Sequence, residues 1–111
     1  MKTYTPQKGD FISVTFDPQS GHEQKGRRPV LVISNTLFNE HTGMAIVCPL
    51  TSTERSSPLH VAVKNNRDVS GFIMVEQVKS IDYIARKVKR IGKAVDAVLD
   101  EVLAILDACI Y

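Results

Sequence analysis

The densest chemistry in this sequence lies just before its first long apolar run. His22, Glu23, Gln24, Lys25, Arg27 and Arg28 fall within seven positions. Arg28 is followed at once by Pro29 and by Val30-Leu31-Val32-Ile33. Its backbone is thereby tied to a buried strand while its side chain can reach outward. A guanidinium held in that way suits a phosphate, whose oxygens match its planar fork. A solvated charged loop would account for the same residues without chemistry. Thr51 and Ser52 form a second candidate, two hydroxyls directly beyond Pro49-Leu50. Such hydroxyls can donate to a phosphate oxygen or to a developing charge, and they are also common turn residues. His22 could serve as a general base or be a loop histidine with no special role. Glu76 and Gln77 stand in the otherwise apolar stretch from Phe72 to Val78, where a carboxylate needs solvent or partners. Lys79, Arg86, Lys87, Lys89, Arg90 and Lys93 make a basic run suited to a nucleic-acid backbone or to plain solvation.

Short strands must position these groups. Phe11–Phe16 alternates β-branched and aromatic residues and is closed by Asp17-Pro18. Residues 19–28 read as a loop. Pro29–Ser34 is an unbroken apolar run, the pattern of a strand buried on both faces, and Met44–Cys48 is another, stopped by Pro49. A polar loop covers 51–58. His60–Val63 and Gly71–Val75 read as two more strands, with a turn over Asn65–Asp68, and Ile81–Ile84 as a further short one. The end of the chain differs. Val95, Val98, Leu99, Val102, Ile105, Leu106 and Cys109 recur at spacings of three and four, an apolar helical stripe, with Asp96 placed to cap it. Leu103 and Ile110 widen that stripe beyond what one small β body would cover, which points to a helix-mediated dimer. The expectation is a mainly β protein with a C-terminal α-helix, its sheet a small, strongly bent antiparallel structure or partly open barrel. One domain spans 1–111, with a strand-rich body over about 8–93 and the helix over about 95–110.

The composition excludes several classes. At 111 residues, 43% hydrophobic and 23% charged, the chain has an ordinary globular make-up. No apolar run approaches the ~18 residues of a membrane helix, and Met1–Gly9 has no apolar signal core, so a cytoplasmic protein without membrane attachment is expected. Cys48 and Cys109, both in apolar surroundings, are expected to be buried free thiols. His22, His41 and His60 are isolated, and no cysteine–histidine spacing suggests a metal. No glycine-rich phosphate loop or nucleophile elbow is present. The net charge of +2 hides an asymmetry: residues 1–93 carry +6 and the last 18 residues carry −4.

Taken together, Asp17-Pro-x-x-Gly-His-Glu-Gln-x-Gly-x-Arg28-Pro29, Pro29-Val-Leu-Val-Ile-Ser, Pro49-Leu-Thr51 and Gln77-Val-Lys79-Ser-Ile-Asp-x-x-Ala-Arg86 resemble the MazF/PemK (Kid, ChpB) toxins of type II toxin–antitoxin systems. The resemblance runs in order from about Lys8 to the end. It implies a homodimer of Src-homology-3-like antiparallel β-barrels of the CcdB/PemK type. It also implies a metal-independent, cofactor-free, sequence-specific endoribonuclease acting on single-stranded RNA, chiefly mRNA. In such enzymes the 2′-hydroxyl attacks the adjacent phosphorus and leaves a 2′,3′-cyclic phosphate and a 5′-hydroxyl, inhibiting translation and growth. A cognate MazE/PemI-like antitoxin, through an acidic C-terminal segment, occupies the RNA groove. Carried over residue by residue, the catalytic arginine is Arg28 and the catalytic threonine Thr51. The loop histidine and the acid used by some members are His22 and Glu76, with Glu76-Gln77 standing where the family often has Asp-Gln. Met74 stands where some members have a further arginine. Glu23, Gln24, Arg27, Ser52, Gln77, Lys79 and Arg86 are the candidate RNA contacts. The alternative is a CcdB-like protein of the same fold that poisons a topoisomerase by binding, with no need of an Arg28–Thr51 site.

Overall fold

A computed structural model describes residues 4–15 and 27–111. The strands are β1 (Asp10–Thr15), β2 (Arg27–Val32), β3 (Met44–Thr51), β4 (His60–Ala62), β5 (Phe72–Met74), β6 (Lys79–Asp82) and β7 (Lys89–Lys93); the helices are α1 (Thr36–Thr42) and α2 (Asp96–Ile110). All pairings are antiparallel, in the order β4-β5-β3-β2-β1-β7, with β6 paired to β3 beside β5. The expected mainly β body with a terminal helix is what forms. Its sheet is strongly bent but not closed, since β4 and β7 end the order unpaired to each other.

Both faces of the three central strands are covered, which explains their unbroken apolar sequences. Phe11, Leu31, Ile33, Cys48 and Leu50 point into one core with Ile73, Val75, Val98 and Val102. Ile12, Val14, Val30, Val32, Ala45 and Val47 point into a second core with Ile81 and Tyr83. Strand alternation sends neighbouring residues to opposite cores. Helix α2 closes the first core with Val98 and Val102, and Leu99, Leu103, Ile105 and Leu106 pack beside them. The stripe is thus mostly covered by the chain's own body, leaving Cys109, Ile110 and Tyr111 exposed.

Several details depart from the sequence reading. The segment 35–43, given no element there, forms α1. Asn35 caps its start by accepting from the Phe38 N–H at 2.9 Å, and Gly43 ends it at φ 70°, a left-handed geometry that favours glycine. Strand β2 begins at Arg27, inside the expected loop, and β3 continues past Pro49 to Thr51. Val75–Gln77 is one turn of 3-10 helix, not strand, so Glu76 and Gln77 are exposed on a corner. Val95, not Asp96, is the cap of α2, and Asp96 makes no capping bond there but sits in the first turn, where its charge suits the helix dipole. Cys109 lies on the outer side of the last helical turn and is exposed, whereas Cys48 is buried. Burial, helped by the Glu76 charge, pushes the Cys48 thiol up to about 12, so it stays protonated and inert.

A buried polar hub fastens α1 to the sheet. Asn39, fully buried, donates from Nδ2 to the Pro6 carbonyl at 2.8 Å and to the Ser34 carbonyl at 3.2 Å, and accepts from the Ser34 hydroxyl at 2.5 Å. Ser34 Oγ in turn accepts from the Ile46 N–H at 2.8 Å, and the Tyr83 hydroxyl donates to the Asn39 carbonyl at 2.9 Å. Truncating Asn39 would strand several of these groups without water. Asn39→Ala is expected to cost about 2–4 kcal/mol of stability, read by urea denaturation at pH 7.

Candidate functional site

The site is set by the way β2 and β3 part. Their ladder runs Val32↔Val47, Leu31↔Cys48, Val30↔Pro49 and stops. Continuing that register would put Pro29 opposite Leu50 and Arg28 opposite Thr51. Pro29 has no N–H to extend the ladder, and beyond Pro49 β3 pairs on its other edge with β5, Leu50↔Ile73 and Thr51↔Phe72. The separated ends leave a cleft of about 190 Å³ lined by Arg27, Arg28, Pro29, Leu50, Thr51, Ser52 and Ser70. Two residues singled out 23 positions apart in the chain, Arg28 and Thr51, therefore share one cleft. Gly71 holds the far wall close. A Cβ there would lie 2.7 Å from the Thr51 carbonyl oxygen, and its φ of +119° disfavours any side chain.

The two neighbouring arginines serve different ends. Arg28 is exposed at the cleft. The Arg27 guanidinium is taken up by the fold. It donates to Ser13 Oγ at 2.8 Å, Thr15 Oγ1 at 2.9 Å and the Ser13 carbonyl at 2.9 Å, and also to the Lys87 carbonyl. It ties the ends of β1 and β2 to the turn before β7, immediately beside Arg28. Thr51 Oγ1 accepts from the Thr53 N–H at 3.2 Å: the oxygen fixes the turn, and the hydroxyl hydrogen can still be donated.

The remaining candidates are spread more widely. Glu76 does not line the Arg28–Thr51 cleft; its Oε2 lies 3.1 Å from His60 Nε2. Partial burial pushes the Glu76 carboxyl up, but hydrogen bonds from His60, its own backbone and Gln77, with the His60 charge, outweigh this and hold it below its ordinary value. The sequence reading missed His60, because it sits on β4, 16 positions from its partner. Gln77 and Lys79 are exposed on the corner and on β6. Arg86 is half-buried, donates to the Thr15 carbonyl at 3.4 Å, and lines a separate cleft with Thr15, Asp82, Ala85 and Lys87. His22, Glu23 and Gln24 lie outside the described residues. Among the described residues no group of three or more His, Cys, Asp or Glu is placed to hold a metal, and no helix is long and apolar enough to cross a membrane.

An open antiparallel sheet with a terminal helix, carrying an arginine and a threonine in one cleft, defines a small mainly β protein. Comparison with known proteins narrows that class. The model of the PemK-like, MazF-like toxins of type II toxin–antitoxin systems matches residues 7–110, and the chain belongs to that family. It is 43% identical over 112 residues to the endoribonuclease toxin ChpB of Escherichia coli K12, covering 94% of this chain and 93% of ChpB. It is 39% identical over 89 residues to the endoribonuclease toxin MazF of the same strain, covering 80% of this chain and 79% of that toxin. A crystal structure of MazE-MazF from Deinococcus radiodurans shares the fold with a TM-score of 0.90 at 35% identity, covering 97% of each chain.

The Glu76–His60 pair gives a pH test. A carboxyl that titrates lower in the folded state than in the unfolded chain contributes stability above the ordinary value of about 4.3, and that contribution is lost as the pH falls through the folded value. Urea denaturation should therefore find the wild type more stable than Glu76→Gln at pH 7, with the gap closing as the pH is lowered to 3.

Proposed function

We propose that this chain, as one domain of residues 1–111, is the endoribonuclease toxin of a type II toxin–antitoxin pair, cutting single-stranded mRNA in the cytoplasm at specific sequences. The observation that carries this reading is the meeting of Arg28 and Thr51 in one cleft. Support comes from the relatives named as endoribonuclease toxins and from the family match.

The chemistry follows from what that cleft can do. The 2′-oxygen attacks the adjacent phosphorus and gives up its proton to a base, the bond from phosphorus to the 5′-oxygen breaks, and the 5′-oxygen takes up a proton. The products are a 2′,3′-cyclic phosphate and a 5′-hydroxyl. Negative charge accumulates on the non-bridging oxygens during attack. Arg28 offers paired N–H donors and a fixed positive charge to those oxygens, and Thr51 offers a hydroxyl. A guanidinium with a pKa above ~12 is a poor proton donor, so charge stabilisation is its role. Glu76 is engaged with His60 and lines no wall of this cleft, so the base role falls to His22. Arg27 supports Arg28 from behind the strand. Ser52, Gln77, Lys79 and Arg86, with Glu23 and Gln24, are the proposed RNA contacts.

The +6 body also suits an acidic antitoxin segment competing with RNA for the same surface. The solved MazE-MazF structure supports a cognate antitoxin, and a homodimer is the proposed working unit.

Incubation with single-stranded RNA in excess EDTA should yield fragments ending in cyclic phosphate; absence of cleavage, or 3′-hydroxyl ends, would reject the mechanism. Arg28→Ala should lose about a hundredfold or more in turnover, and Thr51→Val a smaller factor, with melting temperatures near the wild type. Binding of an uncleavable RNA should weaken linearly in log Kd against log salt.

A further inference from the structure

The Arg28–Thr51 cleft does not end at Ser70. A second cleft of about 290 Å³ shares Arg27, Pro29 and Ser70 with it and adds Ser13, Asp68, Val69 and Ile91. Its make-up differs from the first. Pro29, Val69 and Ile91 give apolar walls of the kind that accept a flat ring. Arg27, the one cation on its rim, already donates to Ser13, Thr15 and the Lys87 carbonyl. Asp68 brings a negative charge into a trough that otherwise favours anions.

Asp68 is held rigidly. The Asn66 side-chain oxygen accepts from the Asp68 N–H and the Val69 N–H, each at 3.0 Å, and Asn66 Nδ2 donates to the Lys93 carbonyl at 2.9 Å. The turn is thereby fastened to the end of β7. Those bonds use the backbone of Asp68 and leave its side chain exposed, with no ion pair among the described residues. An unpaired carboxylate here repels phosphate and accepts only from N–H or O–H groups. On an RNA strand the strong N–H donors are base edges. Carboxylates accept from the cytosine amino group, and guanine offers its amino and ring N–H side by side. Adenine offers its amino group too, whereas uracil has no amino group and flanks its single N3–H with two carbonyls that repel such a partner.

Resting on the ribonuclease reading, we propose that this second cleft is a base-reading subsite: Pro29, Val69 and Ile91 seat a nucleobase near the cut phosphate, and Asp68 accepts from its exocyclic amino group, admitting cytosine, guanine or adenine and excluding uracil. Asp68 is thus a specificity-determining residue for the cut sequence, separate from the charge-stabilising pair.

The test is sequencing of fragment ends after brief digestion of a random single-stranded RNA pool in EDTA by wild type, Asp68→Ala and Asp68→Asn. Wild type should favour cytosine, guanine or adenine over uracil at one fixed position by about tenfold, the scale of one base-edge hydrogen bond. Asp68→Ala should flatten that position to within about twofold. Asp68→Asn, whose amide can donate to a carbonyl, should let uracil in. An unchanged preference at every position in both variants overturns the proposal, as does an equal loss on all RNAs accompanied by a lowered melting temperature. If the wild type cuts no RNA, the ribonuclease reading is what has failed. The subsite is then judged by the Asp68 carboxyl carbon-13 resonance during titration with cytidine 5′-monophosphate and uridine 5′-monophosphate. A response to the cytidine nucleotide alone supports it, and no difference between the two overturns it.

Discussion

Everything chemical in this molecule depends on where one β ladder ends. The β2–β3 register is fixed by residues buried on both sides, Val30, Leu31 and Val32 against Val47 and Cys48. A slip of one residue would exchange the two cores and is strongly disfavoured. Pro29, which has no N–H to give to β3, then brings pairing to a close at a defined step. Two features follow from this one constraint. Arg28 and Thr51 come to stand on facing strand ends, and where the ladder stops between them a cleft opens. Pro29, which opens an apolar run in the sequence, is also the residue that ends the ladder.

The same strand alternation divides the labour of adjacent arginines. Arg27 follows the parity of Pro29 and Leu31 and meets Ser13 and Thr15 on β1; Arg28 follows Val30 and Val32 and emerges at the cleft. Charge held at a reactive centre is effective in proportion to how little it must reorganise when the reaction starts. Arg27 spends nearly all of its donors on β1 and the turn before β7, and the strand end that carries Arg28 is thereby fixed from two sides. In the proposed reaction that fixation preorganises Arg28.

The sequence made the apolar strands legible because their burial is written in consecutive residues, and it made Arg28 and Thr51 legible because each directly adjoins such a strand. Helix α1 was equally marked, by Asn35 and Gly43 at its two ends, but its seven residues carry too short a period to stand out. Other features were not recoverable from local pattern. The Glu76–His60 pair joins a 3-10 turn to β4 across 16 positions, and the Arg27 bonds reach as far as Lys87. Val75–Gln77 has the composition of a strand, yet the chain must turn a corner there to pass from β5 to β6 along the same edge of β3. Cys109 fits the apolar spacing of α2, but the body it would pack against has ended by that turn, and it is left outside.

The distribution of acids within the basic body separates structure from recognition. Asp10 is buried and accepts from the Tyr4 hydroxyl, the Gln7 N–H and Arg90 Nε. Burial and the charge of Asp10 raise the Tyr4 pKa and keep that phenol protonated. Glu76 is held ionised by His60, and Asp82 accepts from the Ile84 and Ala85 N–H groups at the head of the turn before β7. Each of these carboxylates is satisfied by the fold that it supports. Asp68 is different: its backbone is fixed, and its side chain is left in a cleft continuous with Arg28. For binding a polyanion that placement is unfavourable, since it lowers the field that draws the backbone in. An acid kept at such a position costs affinity for every RNA alike, and it is tolerable where it returns a difference between RNAs. Discrimination of that kind needs a group that one base satisfies and another leaves repelled, and a lone, rigidly presented carboxylate on an apolar-walled cleft is such a group.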